Sequence, residues 1–183
     1  MKRISTSLFL ILLAITLFVL HDSGTIDLRS AQERMLYPFK YMSLAAQDPN
    51  VGLPVPVEGV RLSEIADTWG APRPTGRGHN GVDIFAPAGT PIHSATEGFL
   101  TRRGESNLGG NHIFITGPGG VRYYYAHLDS FNEELGIGSE VSTTTVIGYV
   151  GNTGNARTTP PHLHFGKYDN GAENPFPFLV ERE

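Results

Sequence analysis

Beyond residue 70 the chain offers almost no helical periodicity, and glycines and prolines are spread through it. Short strand-like runs fill the intervals, at residues 91–100, 111–116, 121–126, 146–150 and 163–168. Gly117-Pro118-Gly119-Gly120 lies between two of them, where a hairpin turn belongs. This pattern suits a sheet of short strands joined by tight turns and little else. The 22 glycines and 13 prolines are spread along the chain and form no repeat. The expectation is a mostly β, antiparallel domain over residues 51–183, entered through Pro54, Pro56 and Gly59. It is long enough to bury one core.

The last of these runs has two unlike faces. Successive side chains on a strand point to opposite sides. In His162-Leu163-His164-Phe165 the two histidines therefore share one face, about 7 Å apart, while Leu163 and Phe165 share the other. The second pair calls for a core. The first calls for a metal or a proton, because neutral imidazole is both a common metal ligand and the usual acid/base group near neutral pH.

The chain holds seven histidines. His79-Asn80-Gly81-Val82-Asp83 sets a histidine four residues before an aspartate, which on an extended segment again puts both on one face. Pro74, Gly76 and Gly78 make the approach a loop. Two ligands here and one from the late pair make three protein ligands, the number a catalytic zinc takes while keeping a fourth position for water. Spacing does not say which member of the late pair ligates, and His79 with Asp83 alone also fits a hydrogen-bonded loop pair. His93 and His112 read as structural or surface residues, and His21 lies beside the N-terminal apolar run. Tyr123 and Tyr125 share the face of His127 on a regular strand, lining a groove or packed. Trp69 reads as core, and Arg77 as a solvated loop residue. The absence of cysteine excludes disulfides, thiolate zinc sites and a cysteine nucleophile. There is no His-Glu-x-x-His helix and no Gly-x-Ser-x-Gly elbow.

Three stretches carry a family resemblance when taken in order. They are His79 to Ile92, Tyr125-Ala126-His127-Leu128, and Ile147 to Gly154 followed by His162-Leu163-His164-Phe165. Together they resemble the LytM/lysostaphin-type zinc metallopeptidases, the M23 family, over about residues 55–180. The resemblance implies a lysostaphin/LytM-like fold, an antiparallel sheet with a substrate groove built on a duplicated hybrid motif. It implies Zn2+ held by His79, Asp83 and His164, with His127 and His162 as unligated catalytic histidines. It also implies hydrolysis of peptide bonds in peptidoglycan, with stem-peptide cross-links favoured. Two departures stand out. Pro160 replaces the glycine usual before the late histidine pair, and Gly166 stands where the family often has glutamate. The alternative is a non-catalytic LytM-type regulator that activates another wall hydrolase. A third reading is a closed structural zinc site, which would need His127 or His162 as a fourth ligand.

The N-terminus agrees with a wall substrate. Lys2 and Arg3 precede an apolar run over residues 8–20, the form of an export signal. No small-x-small cleavage site follows, so residues 1–23 read as a signal peptide or a membrane anchor, with residues 4–20 anchoring the chain in the inner membrane in the second case. Either way the rest is exported, to the periplasm or the outer face of the cytoplasmic membrane. Residues 24–50 read as a linker or pro-segment, with a short helix from Ser30 that Pro38 ends or kinks. The net charge of −4 argues against nucleic acid as a partner. The expected partners are peptidoglycan and proteins of the cell wall or division machinery.

Overall fold

A computed structural model of the protein describes residues 28–73, 76 and 78–182, with side chains from residue 36 onward. The expected export segment and Arg77 lie outside the described residues. Among the described residues, no helix is long and apolar enough to cross a membrane. The chain divides into two units, Met1–Met42 and Ser43–Glu183.

Helix α1 spans Leu28–Ala45 and contains Pro38. The expected short helix is thus longer at both ends: it starts before Ser30 and continues past the proline. A proline withholds a single N–H from the helical ladder. Each residue beyond it adds its own hydrogen bond, so a helix formed on both sides survives the loss.

The second unit is the expected antiparallel sheet. Its strands are β2 (Val82–Phe85), β3 (Pro91–His93), β4 (Gly98–Ser106), β5 (Gly110–Thr116), β6 (Arg122–Phe131), β7 (Glu140–Val141), β8 (Val146–Val150), β9 (His162–Tyr168) and β10 (Ala172–Glu173). They pair in the order β10-β9-β6-β5-β4-β7, with β2 also on β9, and β8 joining β6 to β3. A separate parallel pair, β1 (Leu53–Pro54) and β11 (Leu179–Val180), brings the two ends of the unit together. β5 and β6 form the hairpin expected around 117–120. The run expected as one strand over 91–100 is instead two strands, β3 and β4. Between them Ser94 Oγ donates to the Thr96 carbonyl at 2.6 Å and accepts from the Thr96 amide at 3.4 Å. Serine and threonine offer the backbone such local bonds in competition with a ladder.

The parity read in His162-Leu163-His164-Phe165 decides how β9 sits. Leu163 and Phe165 are fully buried among Val82, Ile84, Ile113, Ile115, Tyr123 and Tyr125. The rings of Tyr123 and Phe165 stack 6.2 Å apart, with an interplanar angle of 7°. Burying large aromatic and branched side chains along one face of β9 supplies the apolar transfer energy that holds the strand in register. The opposite face, with His162 and His164, is left to the site. Trp69 is not part of this core; it lies half-buried in the loop before β2.

Candidate metal centre

β9 runs between β2 and β6, and the register sets the site. Asp83 on β2 faces His164 on β9, and Phe85 faces His162. Ala126 on β6 faces His164 from the other side. Directly opposite residues of an antiparallel pair bring their side chains within contact. His79 arrives from the loop before β2. Its amide donates to the Ala71 carbonyl at 3.1 Å, and its carbonyl accepts from Gly70 at 2.8 Å. Gly81, between His79 and Asp83, lies under the His164 ring. A Cβ there would stand 2.6 Å from His164 Cε1 and 2.6 Å from the Phe165 carbonyl oxygen. Only glycine lets the imidazole approach the backbone this closely.

Three ligand atoms meet in a triangle. His79 Nε2 lies 2.8 Å from His164 Nδ1 and 3.0 Å from Asp83 Oδ1, and His164 Nδ1 lies 3.1 Å from Asp83 Oδ1. The Nδ1 of His79 faces the Thr68 carbonyl at 2.8 Å. A carbonyl only accepts, so Nδ1 carries the proton and Nε2 of neutral His79 offers a lone pair. The carboxylate oxygen offers another. A single proton, on His164 Nδ1, cannot bind both neighbours as well as a cation would. Ligands about 2.0–2.1 Å from zinc in a tetrahedron stand about 3.3 Å apart, close to this triangle. Among the described residues, His79, Asp83 and His164 form the group of histidines and acids able to hold a metal ion. The donor set, two imidazoles and one carboxylate, suits zinc, and three ligands leave a position open.

Burial alone would raise the Asp83 carboxyl. Hydrogen bonds with His164, His79 and Arg73 outweigh it and hold the group well below the usual carboxylate range. Its second oxygen, Oδ2, accepts from Arg73 Nη2 at 2.7 Å, and its amide donates to Thr68 Oγ1 at 3.0 Å. Arg73 and Thr68 stand out in neither spacing nor motif, and no sequence signal finds them, because the contacts are made by a loop folding back on β2. Partners that orient ligands typically contribute 10–100-fold to metal affinity. Arg73→Met is accordingly expected to weaken zinc binding about 10–100-fold, measured by competition with a chromophoric chelator.

His162 and His127 stand beside the triangle. His162 Nε2 is 3.9 Å from Asp83 Oδ1, and its Nδ1 donates to the Pro160 carbonyl at 2.9 Å. His127 lies with its ring centroid 5.1 Å from that of His162 and 5.9 Å from that of His164. Its Nδ1 donates to the Thr153 carbonyl at 2.9 Å. Both histidines therefore keep Nε2 free of a proton when neutral. His127 is pushed down to about 4 by burial and by His164, against the pull of the Thr153 carbonyl, with His162 adding to the fall.

His127 reaches this face through a bulge. Asn111 pairs with Leu128 and Ile113 with Tyr125, so Ala126 and His127 together oppose His112 alone. His127 takes φ 66°, left-handed backbone that costs an L-residue on the order of 1–2 kcal/mol. The extra residue reverses the strand's parity. Tyr123 and Tyr125, which would share a face with His127 on a regular strand, are fully buried in the core instead. His93 and His112 are held away from the triangle. His93 bonds Glu58 and the Thr144 carbonyl, and His112 the Gly110 carbonyl. Pro160 precedes the late pair, and its carbonyl accepts from His162 Nδ1 at 2.9 Å.

A family model described as peptidase family M23 matches residues 77–175. The DD-carboxypeptidase/endopeptidase Mpg of Neisseria meningitidis is 39% identical over 113 residues, covering 62% of this chain and 24% of the relative. The L-Ala–D-Glu endopeptidase of Bacillus subtilis is 39% identical over 124 residues, covering 61% of this chain and 38% of the relative. The chain thus spans about a quarter to two fifths of these relatives' length. Among solved structures, the catalytic domain of lysostaphin from Staphylococcus simulans superposes with a TM-score of 0.57. It is 35% identical, over 64% of this chain and 93% of that domain.

Proposed function

Because the chain belongs to peptidase family M23, we propose that it is an exported zinc endopeptidase that hydrolyses peptide bonds of peptidoglycan, stem-peptide cross-links above all. The observation that carries this reading is the triangle of His79, Asp83 and His164 with two tautomer-fixed histidines beside it. The relatives' names support the substrate class. One is named for DD bonds and another for L-Ala–D-Glu, and peptides containing D-amino acids are the material of bacterial walls. Residues 4–20 would carry the chain across the inner membrane or hold it there.

His79 Nε2, Asp83 Oδ1 and His164 Nδ1 would hold the metal. A zinc ion bound there supplies Lewis acidity, polarising the scissile carbonyl and lowering the pKa of a coordinated water. The chain's own groups do the rest. Arg73 keeps Oδ2 of Asp83 occupied, so Oδ1 faces the centre. With Nδ1 donating to a carbonyl, the neutral forms of His127 and His162 each present a bare Nε2, and His127 stays neutral at neutral pH because burial opposes its charge. One accepts the proton of the attacking water. As an imidazolium it can return that proton to the departing amine nitrogen, so the proton balance closes within the site. The other is placed to orient the reacting groups by a hydrogen bond.

The test is incubation of the purified protein with isolated sacculi, followed by mass analysis of released muropeptides. Cross-linked dimers are expected to fall and monomers to rise, with release stopped by chelator and restored by zinc. Zinc-loaded protein that releases nothing, while stimulating a separate wall amidase, would replace this reading with that of a regulator.

A further inference from the structure

The stretch Asn152-Thr153-Gly154 belongs to a motif singled out in the sequence, yet none of its side chains enters the chemistry proposed above. Thr153 stands at the bulge that delivers His127. Asn111 and Leu128 face each other across the β5–β6 ladder, at the last pair before the bulge. The Thr153 hydroxyl sits between them. It accepts from the Asn111 amide at 3.0 Å and donates to the Leu128 carbonyl at 2.8 Å. The hydroxyl is thus a rung of the sheet, supplied from outside it. The same residue's carbonyl takes the Nδ1 proton of His127 at 2.9 Å.

The surroundings are fitted to this insertion. Gly110, at φ 59°, faces the threonine so closely that a Cβ would run into Thr153 Oγ1 and its carbonyl carbon. The loop carrying Thr153 is tied down again by the Asn155 amide, which donates to the Leu108 carbonyl at 3.1 Å. The His127 amide donates to the Gly109 carbonyl at 2.8 Å. One residue therefore closes the ladder where the bulge opens it and also orients the imidazole that the bulge presents.

We propose that Thr153 is the positioning residue of His127: its hydroxyl holds the bulge open by bridging β5 and β6, and its carbonyl then fixes the Nδ1–H tautomer. The inference rests on the reading that His127 takes part in the reaction. Its structural half can be tested without activity.

The experiment compares wild type, Thr153→Val and Thr153→Ser as full chains. Valine keeps the branched shape and loses the hydroxyl, whereas serine keeps the hydroxyl. The readouts are zinc per chain, the nitrogen-15 spectrum of the His127 imidazole in metal-free protein, and kcat and KM on a cross-linked muropeptide. Thr153→Val is expected to bind zinc like wild type, to leave KM near its wild-type value and to lower kcat about 100-fold, the order of loss that a 1 Å misplacement produces. Its His127 signal should move from the Nδ1–H form toward a mixture of tautomers, and Thr153→Ser should restore both kcat and signal. A Thr153→Val protein with wild-type kcat and a wild-type His127 signal overturns the proposal. So does a wild-type protein whose His127 carries its proton on Nε2, an outcome readable even if the valine variant fails to fold. If His127→Ala keeps full activity, the catalytic reading fails instead, and the tautomer comparison still decides the positioning.

Discussion

His79→Ala and Asp83→Ala are each expected to empty the metal centre and to lower muropeptide release about a thousandfold or more. The reason lies in the triangle. Each residue would supply one of three ligand atoms, which stand 2.8 to 3.1 Å apart, and the remaining two would leave a zinc ion under-coordinated. Lewis-acid stabilisation is worth several kcal/mol in the transition state, and each 1.36 kcal/mol is about a factor of ten in rate. Metal analysis of the purified variants, with circular dichroism to confirm the sheet, gives the direct reading. Wild type should carry about one zinc per chain and the variants almost none. Full metal retention in both variants would sink the ligand assignment, whatever happened to activity.

His127→Ala should behave in the opposite sense toward the metal. The residue lies outside the triangle, so zinc content should stay near one per chain. Release from sacculi should nevertheless fall about 10²–10⁴-fold, the usual contribution of a positioned acid/base group. Alanine carries a Cβ at φ 66° as histidine does, so the substitution removes the imidazole while the left-handed backbone still meets the same clash. His127→Asn gives a second variant, since asparagine tolerates left-handed backbone better than most residues. Activity within a few-fold of wild type in both variants would assign the proton transfers to His162 alone.

The late histidine pair was readable because a strand's alternation is strict: once Leu163 and Phe165 require a core, His162 and His164 must face the other way. The same rule misplaces Tyr123 and Tyr125. Counting by twos from His127 puts them on its face, but the inserted residue of the bulge inverts the count. No composition cue marks it, because the left-handed position is filled by histidine rather than glycine. Thr68 and Arg73 are hidden for a different reason. They reach Asp83 from a loop with neither period nor motif, and such contacts depend on where the chain folds back. Pro38 and the break at 94–97 point in opposite directions: a helix outlasts its proline, whereas a strand-like run ends where serine and threonine bond their own backbone.

His79, His127 and His162 each donate a hydrogen bond from Nδ1–H to a main-chain oxygen, of Thr68, Thr153 and Pro160 in turn. A main-chain oxygen survives any substitution at its own position. Even proline, which gives up its amide hydrogen, still supplies it. At residues 68 and 160 the protonation pattern is therefore insulated from side-chain drift, whereas at 153 it also depends on the hydroxyl that sets the path of the chain. At those two residues it is the path of the chain, and not the side chain, that fixes how His79 and His162 point.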